Sequence, residues 1–187
     1  MVREAWSQSK LSTTLALLAS YFGLSTALHL PDGIWEGTIL SNGTYSIKAA
    51  GAPDSDSFLV EPTTPTTTSS TQKRSGPIAK RYVGCFGYQL DASGIDAAVV
   101  GLKNWAGSGH TLTSGDKNTF LAVSAEGMIV YYCIDAPRSS GNLDVDDVNY
   151  ALERMDATCR RYEASYFKWD GSVEIVGKGR AGDNVCV

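Results

Sequence analysis

Residues 82–187 predict an α+β fold in β-α-β-β-α-β order. This is the split βαβ, ferredoxin-like plan: a two-layer sandwich of an antiparallel sheet with two helices on one face. Three observations predict it. Two segments repeat apolar residues at helical spacing. Between them, two apolar runs flank Ala125-Glu126-Gly127, a tight hairpin. All four cysteines, Cys85, Cys133, Cys159 and Cys186, fall in this part of the chain.

Tyr82–Leu90 (YVGCFGYQL) is rich in aromatic residues and reads as the first strand. Asp91 or Ser93 caps a helix through Ile95–Trp105, with Ile95, Val99, Leu102 and Ala106 on one face. Gly107 and Gly109 stop it. Thr119–Ser124 and Met128–Ile134 are the hairpin strands, and Pro137–Asn142 is a loop. Asp144–Tyr162 is the longest periodic stretch: Val145, Val148, Leu152, Met155 and Cys159 recur along one face. Asp144, Asp146 and Asp147 lie at its positive end, Arg160 and Arg161 at its negative end. Ser172–Gly177 is the last strand, and Asn184–Val187 closes the chain.

The N-terminus has the layout of an export signal over residues 1–27. Arg3 and Lys10 precede the apolar run Leu11–Leu24, and Ser25-Thr26-Ala27 offers small residues for cleavage. That run is too short for a spanning helix of about 20 apolar residues, so no stable membrane insertion is expected. Residues 28–81 read as a mostly disordered pro-segment with, at most, a small hairpin around Asn42-Gly43. Asn42-Gly43-Thr44 is an N-glycosylation acceptor. The stretch EPTTPTTTSSTQKRSGP cannot bury enough apolar area to offset its ordering entropy. It leads into the dibasic pairs Lys73-Arg74 and Lys80-Arg81. An exposed strand with paired cations suits the acidic cleft of a kexin-type processing protease, and cleavage after Arg81 would release residues 82–187.

An even cysteine count in an exported chain reads as two disulfides, with three connectivities open. The spacings of 48, 26 and 27 residues lack the close pairs of a zinc site. Net charge is −4, and residues 82–187 hold 14 acidic against 9 basic side chains, so no nucleic-acid partner is expected. Asp144-Val145-Asp146-Asp147 suits helix capping and lacks the calcium-loop pattern. His110, in a Gly-Ser-Gly-His turn, is the one histidine of residues 82–187. With the cysteines committed to disulfides, a Cys/His arrangement is not expected; a Ser/His/Asp arrangement would have to use His110, and a lone histidine in a loop reads as incidental. No cofactor, metal or catalytic residue is therefore expected.

The aromatic surplus is the remaining signal. Tyr131 and Tyr132 point to opposite faces of their strand, so only one is expected in the core. With helices on one face alone, the open face makes Tyr131, Tyr132, Tyr166, Phe167 and Trp169 a candidate binding surface, unless the pro-segment or C-terminal tail covers it.

The stretches GCFGYQLDASGIDAAVVGLKNWAG, VYYCI, YALERMDATCRRY and NVCV, with the leader and dibasic site before them, resemble fungal small secreted proteins of the effector and killer-toxin-like kind. That resemblance implies a killer-toxin-like α/β sandwich, and the protein is expected to be a monomer that binds a host or competitor target. Relatives carry a cysteine near the end of the first helix, where this chain has Trp105, so no disulfide map is carried over. The expected function is a secreted, non-catalytic effector or toxin-like protein, whose partner is a host or competitor protein or a cell-wall glycan. The alternatives are a small secreted hydrolase (nuclease or glycosidase) and a glycan-binding module.

Overall fold

The computed structural model describes residues 30–61 and 82–186. The expected export signal lies outside them, as do Lys73, Arg74, Lys80 and Arg81. The elements are β1 (Gly33–Ile39), β2 (Tyr45–Ala49), a single 3-10 turn (Asp54–Asp56), β3 (Phe58–Val60), β4 (Tyr82–Gln89), α1 (Ala92–Ala106), β5 (His110–Thr113), β6 (Thr119–Ala125), β7 (Met128–Ile134), β8 (Ser140–Leu143), α2 (Val145–Thr158), β9 (Glu163–Lys168) and β10 (Glu174–Arg180). Eight strands form one sheet in the order β3-β2-β1-β6-β7-β10-β9-β4, while β5 and β8 make a separate two-stranded ribbon. Every described pairing is antiparallel.

The mixed α+β class, the antiparallel sheet and the two helices match the sequence reading, but the strand order does not. In a split βαβ the first strand is separated from the second by one neighbour. Here β4 is the sheet edge, and β9, β10 and β7 stand between it and β6. β7 pairs directly with β10, which closes the place where the first strand would insert, and β4 instead pairs with β9, a segment that the sequence reading places in the loop after the second helix. That helix stops at Cys159, whose backbone is extended, and Tyr162 turns the chain with φ 59°. The freed EASYFK then pairs with both β10 and β4.

Residues 30–61 also differ from the expectation. They are not disordered: β1 pairs with β6 from Gly33↔Ser124 to Thr38↔Thr119, and β2 and β3 extend the sheet beyond it. A lone hairpin is marginal in water, but β6 supplies the third strand.

The sheet is therefore covered on both faces. On the helix face, Ile95, Ala98, Leu102, Val148, Ala151 and Met155 pack on Leu121, Val130, Tyr132, Phe167 and Val176. On the opposite face, Phe120, Ile129, Tyr131 and Ile175 are capped by Tyr45, Ile47, Val60 and the C-terminal Val185. Burying each such large apolar side chain is worth ~1.5–3 kcal/mol, so the N-terminal strands and tail complete a second core. Asp91 caps α1 by accepting from Gly94 N at 3.1 Å. Asp144 and Asp147 form a capping box on α2, Asp147 N donating to Asp144 Oδ1 at 2.8 Å.

Candidate functional site

The disulfides are Cys85–Cys159 and Cys133–Cys186. The first ties the end of α2 to the edge strand β4 on the helix face. The second folds the tail back onto β7 on the opposite face, where Cys133 belongs to the second core.

This double coverage overturns most of the expected aromatic surface. Tyr131 and Tyr132 are exposed by 1% and 0%, one in each core. The expectation that one must be open assumed a sheet covered on one side only. Phe167 is also fully buried, edge-on to Trp169 at 4.8 Å, and Trp169 is half-buried against the helix-face core. The Tyr132 hydroxyl donates to Glu174 Oε1 at 2.5 Å, and Ser172 Oγ donates to Glu174 Oε2 at 2.8 Å. Burial, and then that glutamate, hold the Tyr132 hydroxyl protonated far above the usual tyrosine range.

Tyr166 alone of the five reaches an exposed cluster, and its companions come from β4. In YVGCF, positions 82, 84 and 86 are spaced by two, the signal of one strand face, and Tyr88 follows beyond the bulge at Gly87. Tyr82 and Phe86 are exposed by 59% and 39%. The Tyr166 ring lies between them, with centroids 5.5 Å from Tyr82 and 5.8 Å from Phe86, and Tyr88 follows Phe86 at 6.5 Å. Gly84 makes this possible, because a Cβ there would sit 2.2 Å from Tyr166 Cε1. The ring therefore lies flat across the edge strand, much as Tyr131 lies across Gly177 one row inward.

Polar groups fix the strip. The Tyr88 hydroxyl donates to Asp183, and the Arg180 guanidinium stands 4.8 Å from its ring centre. Burial and then Asp183 raise the Tyr88 pKa. Burial, followed by the hydrogen bond with Tyr82, raises that of Tyr166. Both hydroxyls thus stay neutral at any physiological pH. Lys168, opposite Tyr82 in the register, pairs with Asp135 at 2.9 Å and borders the strip with charge. At the β4 bulge, Gly87 N donates to Glu163 Oε1 at 2.9 Å.

The other sequence candidates lie apart. His110 is exposed and stacked on Trp105 at 4.2 Å, its Nδ1 3.1 Å from the Trp105 carbonyl, which calls for a proton on Nδ1. Asn42 is exposed at the β1–β2 turn, its Oδ1 accepting from Thr44 N at 3.1 Å. A polar cleft of about 350 Å³ lies between the N-terminal strands and the β5–β6 region, lined by Glu36, Lys48, Asp54, Thr113 and Thr119 among others. Lys48 there holds Asp54 at 2.8 Å and Glu36 at 3.9 Å. Its hydrogen bond lowers the pKa of Asp54 and raises its own, so the charges answer one another. Among the described residues no group of three or more potential metal ligands occurs, and no helix is long and apolar enough to cross a membrane.

No family model, curated protein or solved structure matches the chain.

Proposed function

We propose that the chain is an exported, non-catalytic binding protein whose ligand is a cell-wall glycan of a host or competitor, held on the Tyr82–Tyr166–Phe86–Tyr88 strip. The observation that carries the reading is this row of four rings in successive contact on a sheet edge, with Tyr82 and Phe86 exposed and Tyr166 and Tyr88 seated against the margins of the two cores. A pyranose presents an apolar C–H face that stacks on an aromatic ring, while its hydroxyls exchange hydrogen bonds with groups at the rim. Tyrosine suits both tasks. Because Gly84 and Asp183 settle the rings beforehand, little side-chain entropy is lost on contact. Export is supported by the leader-like N-terminus, the two disulfides and the resemblance to secreted effector proteins.

The test is retention on insoluble chitin and β-glucan, with Tyr82→Ala and Tyr166→Ala beside the native chain and with the supernatant assayed for released sugar. Retention on at least one polymer, lost in both variants and without sugar release, is expected. Absence of retention, or retention indifferent to both substitutions, refutes the strip. Steady sugar release would instead make the protein a hydrolase.

A further inference from the structure

The N-terminal strands are attached to the remainder in an unusual way. Both disulfides lie within residues 85–186, so none reaches residues 30–61. The backbone through residues 62–81 is the one covalent link, and that stretch contains both dibasic pairs. The non-covalent attachment is nevertheless extensive. β1 pairs with β6 over six residue pairs. Ile39 N donates to Asn118 O at 3.0 Å, Ser124 Oγ to Leu30 O at 3.1 Å, and Glu126 N to Asp32 Oδ1 at 2.8 Å. Tyr45 packs edge-on against Phe120 at 5.5 Å, and its hydroxyl accepts from Val185 N at 3.1 Å. Gly37 lets the Phe120 ring lie on β1, since a Cβ there would meet Phe120 Cζ at 2.4 Å. Four of the eleven buried residues of the second core, Leu30, Tyr45, Ile47 and Val60, come from this segment. Its loss would open the β6 edge and bare Phe120 and Ile129 to water, which favours its retention.

We propose that dibasic processing yields a two-chain protein, in which residues 30–61 stay docked on β6 as a non-covalent subunit, rather than a free 82–187 domain. In the cleavage step a processing protease hydrolyses the Arg81–Tyr82 peptide bond. One water is consumed, leaving a carboxylate on Arg81 and an amine on Tyr82. Neither strand pairing nor the second core changes. The polar cleft is kept as well, because its walls come from both pieces.

The experiment cuts the purified full chain with a Lys-Arg-specific endoprotease and compares native gel filtration with non-reducing denaturing electrophoresis. The two pieces are expected to co-elute at the mass of their complex under native conditions, and to separate in denaturant without any reductant. A domain that elutes alone overturns the proposal, as does a chain the protease cannot cut. Gly37→Val provides a second arm. In the uncut chain the tether keeps the segment at high effective concentration, so the variant still folds. After cutting, the wedge against Phe120 is expected to weaken retention roughly tenfold to a hundredfold. Equal retention in the native and Gly37→Val proteins would also overturn it, because the segment would then not be held through β1 on Phe120. The outcome is independent of glycan binding, whose strip lies at the far edge of the sheet.

Discussion

Replacing Gly84 by alanine puts a methyl carbon 2.2 Å from Tyr166 Cε1 and 2.7 Å from Cζ. Carbon atoms prefer ~3.5–4.0 Å, so the ring must move by about 1.5 Å. Tyr166 is half-buried beside an edge strand and can swing outward. The lost packing is partly offset by the ~0.5–1 kcal/mol that alanine gains over glycine in a strand, leaving a net change of about 1 kcal/mol or less. Gly177→Ala makes the same collision, 2.2 Å from Tyr131 Cζ, but Tyr131 is fully buried and has nowhere to go. Overpacking there costs ~1–3 kcal/mol, roughly 3–10 °C in Tm for a chain of this length. Thermal unfolding by circular dichroism, run beside the glycan retention assay, separates the two. Gly84→Ala is expected to keep its Tm within about 3 °C and lose glycan retention, and Gly177→Ala to lose Tm. If Gly84→Ala falls as far in Tm as Gly177→Ala, Tyr166 is not free to move. If it binds glycan undiminished, the flat ring is not the contact surface.

Lys178 is 2% exposed and bonds Asp156 at 2.5 Å, while the Asp156 side chain is 39% exposed. Asp156→Ala strands a buried cation and is expected to cost ~3–5 kcal/mol in chemical denaturation, whereas Lys178→Met lets Asp156 rehydrate and is expected to be neutral or stabilising. Among the described residues, the Tyr131 hydroxyl is the buried side-chain polar atom without a hydrogen-bond partner. Tyr131→Phe is therefore expected to raise stability by about 1 kcal/mol or more, and Tyr45→Phe, which orphans the buried Val185 N–H, to lower it by ~1–3 kcal/mol. Burial, with Asp144, Glu174 and Asp146 nearby, raises the pKa of Asp147. The folded state then holds its proton more tightly than the unfolded chain, so stability is full below the ordinary carboxylate pKa of about 4 and is lost as pH rises through the folded value. Asp147→Asn is expected to match the native Tm in acid and exceed it near neutral pH, which a Tm series across that range reads directly.

Elements bounded by local chemistry were legible in the sequence. Met128–Ile134 stands as read because Gly127, with φ 76°, closes a turn before it and Asp135-Ala136-Pro137 follows. The α2 start was legible because Asp144 and Asp147 answer each other across one turn. Its end was not, since Cys159 continues the helical apolar spacing while its disulfide to Cys85 holds it at the cap. What depended on distant pairing stayed hidden. Gly33 meets Ser124 across 91 residues, and nothing local in GIWEGTI names β6 as its neighbour. That omission carried through to the site: a sheet bare on one face puts Tyr131 in the open, and a sheet covered by β1, β2 and the tail does not. The alternation of Tyr82, Gly84 and Phe86 was readable, but β9 had first to be recognised as the strand that brings Tyr166 over Gly84.

The two faces of the sheet are secured differently, and the C-terminal tail explains why. On the helix face, the disulfide at the end of α2 fastens that helix directly to β4. On the other face, the Cys133–Cys186 bond fixes the tail, and the tail then presents Val185 and Asn184 to Tyr45. A covalent staple thus positions the groups that hold the N-terminal strands without joining them. The tail also carries Asp183, which anchors Tyr88 at one end of the aromatic strip. One short segment therefore orders both the docked N-terminal strands and the exposed rings. Because a buried donor such as Val185 N–H must keep its partner, a tail fixed by a disulfide favours the docked position of Tyr45 over any looser one.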